Sequence, residues 1–192
     1  RNVRRSPFHD RLITSGAFMT EAGGYERPGF FATNGATPTI EYSFGHQNWY
    51  DACRQECHNT RDNVTLFDQS CFVKIAVDGV DACDVLNRIC ANDVDVPVGR
   101  LVYTQWLNSR GGIEADVTVT RLSETSYLVV TIAACQTRDF TWLARNIPEG
   151  ARVFIRDITS GMSTLALMGP KSRDLLRALS PDDFSTATFP FG

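Results

Sequence analysis

Tyr103 and Asp116 are the residues of this 192-residue chain whose types and spacing point most directly to chemistry. They fall in two runs of alternating residues, 101–108 and 113–122, with Gly111-Gly112 in the connection. In the second run Ile113, Ala115, Val117 and Val119 point one way, and Glu114, Asp116, Thr118 and Thr120 the other. A hairpin with an even-length loop, centred for example between Ser109 and Arg110, puts Tyr103 on the face of Asp116, paired or diagonal. Trp106 then falls on the opposite face, against Ala115 and its neighbours. An odd-length loop or a bulge would break this geometry. A phenol ring can stack on a flat heterocycle. A carboxylate, with an unperturbed pKa of about 3.9, accepts hydrogen bonds from ring N–H or amino groups and stabilises developing positive charge. Such a pair suits a pteridine-like ligand, but periodicity alone favours an ordinary solvated strand face. Gln105 and Thr118 face the same way and carry the same two readings.

Other chemistries find less support. The six cysteines form no C-x-x-C pair and match no zinc spacing, so reduced, buried thiols packed as small hydrophobes are expected. Cys53 and Cys57 lie one helical turn apart, with His58 beside them, but only His9 and His46 remain as further histidines. Core packing with a surface histidine is therefore expected there, and no metal. So few histidines also disfavour Ser-His-Asp and Cys-His nucleophiles. No G-x-G-x-x-G follows a strand, and no Walker A loop is present. Lys plus Arg number 19 against 22 Asp plus Glu, a net charge of −3, which argues against a broad grip on nucleic acid. No apolar run approaches the roughly 18 residues of a membrane span, and nothing reads as a secretory signal.

The surrounding elements must position the hairpin. Hydrophobic residues make up 43% and charged residues 21%, an ordinary globular balance. Residues 1–45, rich in Gly, Pro and Thr, read as a linker or lead-in, with a loop over Thr33-Asn34-Gly35-Ala36-Thr37-Pro38. Periodicity predicts a helix over 47–63, a strand over 71–77 closed by Asp78-Gly79, and a helix near 80–91 on Cys83, Leu86, Ile89 and Cys90. The meander 101–108, 113–122 and 126–133 follows, then a helix over 138–146 capped by Thr137 with Phe140, Leu143 and Ala144 inward. Strands at 152–158 and 162–168 precede a helix from Gly169-Pro170 to Leu179. Hairpin-joined strands mixed with helices predict an α+β fold of antiparallel sheets with packed helices. The start at Arg1 without methionine and the apolar end Phe189-Pro190-Phe191-Gly192 lead us to expect a piece of a longer protein.

The segment YTQWLNSRGGIEADVTVTRL (103–122) resembles the aminomethyltransferase, or glycine-cleavage T-protein, pattern of Y-T, L-N, G-G-I and D before a strand. The order continues in LFDQS (66–70), Asn92-Asp93, Gly99, Asp139, Trp142 and RDITSGMSTLALMGPKSRDLL (156–176), so the resemblance covers roughly 45–180. SPFHDRLITSGAFMTEAGGYERPGFF (6–31), through Ser6, Pro7, Phe8, Gly24, Glu26, Arg27 and Pro28, is similar to the lead-in joining a flavin region to the folate domain of dimethylglycine and sarcosine dehydrogenases. GHQNWYDACRQEC (45–57) and LFDQSCF (66–72) also look closest to the sarcosine dehydrogenase-like branch.

The resemblance implies part of a three-domain cloverleaf around a central channel. Residues 1–45 would lead in from a flavin domain, and 46–192 would be the N-terminal part of a tetrahydrofolate-binding domain. It implies that Tyr103 contacts folate and that Asp116 lies by its reactive nitrogens, with Gln105 and Thr118 as further pocket residues. Ala115 stands where the T-protein commonly has the first acid of a D-D pair, and Asp116 keeps the second. The implied reaction forms 5,10-methylenetetrahydrofolate from an amine-derived one-carbon unit, with FAD in the upstream domain. Asn92 and Asp93 match a family pair and read mainly as a helix-ending turn. Two alternatives accompany this reading. One is a non-catalytic regulatory subunit resembling the pyruvate dehydrogenase phosphatase regulatory protein, and the other is a stand-alone folate-dependent aminomethyltransferase. A bacterial cytoplasm is expected, with the mitochondrial matrix as the alternative.

Overall fold

A computed structural model describes residues 2–32 and 37–192. In chain order the elements are α1 (His9–Thr14), β1 (Ala17–Ala22), β2 (Tyr25–Phe31), α2 (Tyr50–Asp62), β3 (Thr65–Asp68), β4 (Val73–Asp78) and α3 (Ala82–Ile89). Then come β5 (Leu101–Leu107), β6 (Ile113–Ser123), β7 (Ser126–Thr131), α4 (Gln136–Asn146), β8 (Phe154–Asp157), β9 (Leu165–Met168) and α5 (Ser172–Leu179). They divide into two compact units, one formed by 1–69 with 164–191 and the other by 70–163.

The first unit holds two short antiparallel ribbons. The β1–β2 hairpin turns on Gly23 and Gly24, both at positive φ (61° and 83°), the backbone a tight two-residue hairpin turn demands. Its register shifts between Phe18 and Met19, where Pro28 comes opposite Met19, a placement proline tolerates because it lacks an N–H for the ladder. Residues 1–45, expected as a linker, thus carry a helix and a hairpin; most of the expected 33–38 loop lies outside the described residues. The second ribbon pairs β3 with β9, Thr65 opposite Met168 and Asp68 opposite Leu165. Ser6 donates its hydroxyl to the Asp68 carboxylate, which ties the start of the chain to this ribbon. The predicted helix over 47–63 forms as α2, but it buries none of its residues. Cys57 is exposed and Cys53 half-buried, lining with Trp49, Tyr50 and His58 a groove of about 370 Å³ instead of a core. All six cysteines are free thiols, and only Cys71 is buried.

The second unit is a five-stranded antiparallel sheet of order β5-β6-β7-β4-β8. Alternation sends Val73, Ile75 and Val77 of β4, Ala115, Val117 and Val119 of β6, and Tyr127 and Val129 of β7 to one face. There they meet Ala82, Leu86 and Ile89 of α3 and Leu143 of α4, all buried in one cluster. Trp106 of β5 is wholly buried in it and stacks on Trp142 of α4, ring centroids 5.4 Å apart. Thr137 does not cap α4. A 3₁₀ turn over Ala133–Cys135 runs into the helix, so Cys135 takes the cap position and Ala144 is exposed rather than inward. Asp139, buried at the helix start, accepts from Thr131 Oγ1 at 2.5 Å and from Arg138 Nε at 2.8 Å, joining α4 to the end of β7.

The Asp78-Gly79 turn between β4 and α3 has a steric reason. Gly79 lies at φ +146°, and a Cβ there would sit 2.0 Å from the Arg152 carbonyl oxygen, a backbone atom. The Gly79 N–H also donates to the Thr125 carbonyl at 2.8 Å, so the site cannot open without losing that bond. Gly79→Ala is expected to destabilise the protein by about 1–3 kcal/mol, read as a shift of the denaturant midpoint at unchanged slope.

Candidate functional site

The hairpin built by β5 and β6 gathers the four expected residues. The register sets Tyr103 opposite Thr118 and Gln105 opposite Asp116, so Tyr103 is the diagonal neighbour of Asp116 on one face. The connection between Leu107 and its partner Ile113 is odd in length, and a bulge between Trp106 and Leu107 shifts the register by one, so the two departures cancel and the parity is restored. The strand pairs thereby sit one residue along from the centring that the sequence suggested, on the same face. Trp106 stands directly opposite Ala115 on the buried side, as the alternation predicts.

The face is open where the chemistry sits. Tyr103 is 57% exposed, Asp116 is exposed, and Gln105 and Thr118 are half-buried. The Tyr103 phenol lies diagonally beside the Asp116 carboxylate, and Gln105 Nε2 donates to Asp116 Oδ1 at 3.3 Å. The Asp116 carboxylate beside it holds the phenol pKa above its ordinary value of 10, with Gln105 opposing the shift. The sign follows from charge: ionising the phenol would place two anions together. The phenol is therefore neutral beside the carboxylate at neutral pH and ionises only at a pH above its ordinary range.

Two residues read otherwise from the sequence build the hairpin's ends. Asn108 organises the connection: its Oδ1 accepts from the N–H groups of Arg110 (3.0 Å) and Gly112 (2.9 Å), and its Nδ2 donates to Glu114 Oε1 at 2.8 Å. Asparagine followed by glycines is the signal for such a side-chain-closed turn. Asn92 does more than end a helix. Its Nδ2 donates to the Tyr103 carbonyl at 2.7 Å, while its neighbour Asp93 accepts from Asn87 Nδ2 at 3.0 Å and serves the turn.

The arrangement offers an exposed aromatic ring, a carboxylate able to accept further N–H donors, and an amide and a hydroxyl on the same wall. An antiparallel α+β unit presenting such a face defines a domain of the aminomethyltransferase T type. Residues 8–192 match the GCVT N-terminal domain, and the chain belongs to that family. It is 43% identical over 185 residues to 4-methylaminobutanoate oxidase (formaldehyde-forming) of Paenarthrobacter nicotinovorans, covering 96% of this chain and 22% of that protein. It is 34% identical to the mitochondrial pyruvate dehydrogenase phosphatase regulatory subunit of Mus musculus (97% and 22% covered) and 29% identical to human mitochondrial sarcosine dehydrogenase (100% and 25%). The crystal structure of the glycine cleavage system aminomethyltransferase T from Bartonella henselae superimposes with a TM-score of 0.69 at 25% identity, covering 92% of this chain and 44% of that one. The chain thus spans 22–25% of the length of these curated relatives. Bacterial and mitochondrial proteins both occur among them. Among the described residues, no helix is long and apolar enough to cross a membrane, and no group of three or more His, Cys, Asp or Glu could hold a metal ion.

Proposed function

We propose that this chain is the tetrahydrofolate-binding part of an FAD-dependent N-methylamine dehydrogenase of the sarcosine and dimethylglycine type. In this reading residues 1–45 lead in from a flavin domain, and 46–192 form the N-terminal part of the folate-binding domain. The observation that carries it is the gathering of Tyr103, Gln105, Asp116 and Thr118 on one accessible face, phenol diagonal to carboxylate. Bound flavin would supply the two-electron oxidation of an N-methyl amine to its iminium, outside these residues.

Within the chain, Tyr103 offers its ring to the flat pterin and Asp116 accepts from pterin N–H groups. Gln105 and Thr118 border the same wall. The iminium carbon then bonds to two folate nitrogens and its bond to the amine nitrogen breaks. The two protons lost from the folate nitrogens pass to the departing amine, giving 5,10-methylenetetrahydrofolate and the demethylated amine. Asp116 orients the attacking nitrogens and takes up and returns a proton as their charge develops. If water attacks the same carbon instead, formaldehyde leaves, the product named for the bacterial relative.

The test uses the full-length protein with its flavin, an N-methyl amine carrying ¹³C in the methyl group, and tetrahydrofolate. The label is expected in 5,10-methylenetetrahydrofolate. Formaldehyde release at the same rate with and without tetrahydrofolate would overturn the reading. The 34% identity to a mouse regulatory subunit favours a second reading, a non-catalytic partner of a phosphatase. That reading requires no flavin reduction by any N-methyl amine, together with binding to a phosphatase subunit.

A further inference from the structure

β5 is an outer strand of the five-stranded sheet, and among the described residues β6 is the one strand that pairs with it. An outer strand carries backbone groups that no neighbour satisfies, and it is correspondingly free to shift. Here the chain leaving α3 is laid along that edge. Cys90 forms a bridge with Trp106, the Ala91 N–H donates to the Gln105 carbonyl at 2.9 Å, and the Asn92 N–H donates to Thr104 Oγ1 at 3.0 Å. The Asn92 side chain completes the strap by donating Nδ2 to the Tyr103 carbonyl at 2.7 Å. Both functional residues of β5 are therefore held through their own main-chain carbonyls.

The strap is itself anchored at both ends. Before it, the Cys90 thiol is packed beside Trp106 and Thr104, and burial pushes its pKa up to about 11. After it, Val94 is 1% exposed and donates its N–H to Asn87 Oδ1 at 2.7 Å. Asn87 Nδ2 in turn holds Asp93. Asn92 thus sits between two fixed points with its amide aimed at a single target. Its carbonyl-directed bond acts on the strand directly beneath the Tyr103 side chain.

We infer that Asn92 is a positioning residue for the phenol–carboxylate pair, fixing through the Tyr103 carbonyl the strand position from which the phenol reaches Asp116. This deepens the proposed folate reading and rests on it for its catalytic meaning, although the geometry itself does not. Without the amide, β5 loses the one side-chain bond at Tyr103 and can slide or twist against β6. The phenol then leaves Asp116. Because reacting groups lose rate steeply with misplacement of about an ångström, transfer should fall about 10- to 100-fold.

The experiment compares wild type, Asn92→Ala and Asn92→Asp in the full-length protein. Aspartate keeps the size but cannot donate to the carbonyl, and it serves where the alanine variant fails to fold. The first reading is the phenolate absorbance titration of Tyr103, isolated by subtracting Tyr103→Phe, with Asp116→Asn as the reference for a phenol without its partner. Both Asn92 variants are expected to titrate Tyr103 at lower pH than wild type, near that reference. An asparagine that only stabilised the turn would lower the melting temperature and leave this titration where it was. Wild-type titration in the folded variants overturns the inference whatever folate does. A moved titration with unchanged methylene transfer upholds the positioning and counts against the folate reading instead.

Discussion

Asp116→Asn is expected to lower formation of 5,10-methylenetetrahydrofolate by about 100- to 10,000-fold, the span a positioned acid–base group commonly contributes. Oxidation of the amine should proceed at the wild-type rate, because that chemistry belongs to a different region in the proposed arrangement. Formaldehyde should then accumulate in the amount that methylenetetrahydrofolate loses. Asparagine is the informative replacement. It keeps the shape opposite Gln105 and still accepts from its amide, so the wall of the site survives. What disappears is the negative charge and the ability to take up a proton. The Tyr103 phenol should titrate closer to its ordinary value once the carboxylate is gone. The measurement is a partition ratio of labelled products, which is insensitive to how much active enzyme each preparation contains. An unchanged ratio would remove Asp116 from the mechanism.

Trp106→Ala carries the largest expected cost in stability, about 3–5 kcal/mol. The side chain is wholly buried, stacked on Trp142, and faced across the ladder by Ala115, which is too small to fill the void. Equilibrium unfolding in urea measures the loss. Trp106 lies on the core side of β5, between Gln105 and the bulge at Leu107. Its removal should therefore also weaken the site from beneath, with the Gln105–Asp116 bond as the first casualty among the site contacts. Trp106→Phe, which retains an aromatic partner for Trp142, is expected to recover most of the stability. Equal losses for alanine and phenylalanine would show that the ring stack contributes little.

The hairpin was legible because both strands alternate through their functional stretches, 101–106 and 115–120, and the odd connection and the bulge beyond them cancel, leaving Tyr103 and Asp116 on one face. The α+β architecture followed from the same meander, and the structural match to aminomethyltransferase T bears it out. The β1–β2 hairpin was hidden because Pro28 and Gly29 interrupt the strand pattern, although Gly23-Gly24 signalled its turn. β3 has only four residues, too few for a period to register, whereas β9 falls inside the strand expected at 162–168. α2 shows apolar spacing on the face that lines its groove, so a helix-core reading of Cys53 and Cys57 failed where the helix itself was correct. Asn92 escaped because its function depends on a tertiary neighbour. A turn-forming asparagine and a strand-clamping asparagine look alike until the edge of β5 is laid beside them.

The β3–β9 ribbon has a consequence for the order in which the polypeptide organises itself. Asp68 pairs with Leu165, and the Gln69 N–H reaches the Thr164 carbonyl, so the chain departs and returns at one spot with the whole 70–163 unit between. Bringing the ends of a floppy segment on the order of a hundred residues together costs roughly 4 kcal/mol in lost freedom, more than two four-residue strands can recover. Once the intervening sheet has formed, its ends no longer wander and that penalty has largely been met. The inserted half is expected to form first, with the clasp at its neck among the last pieces to close.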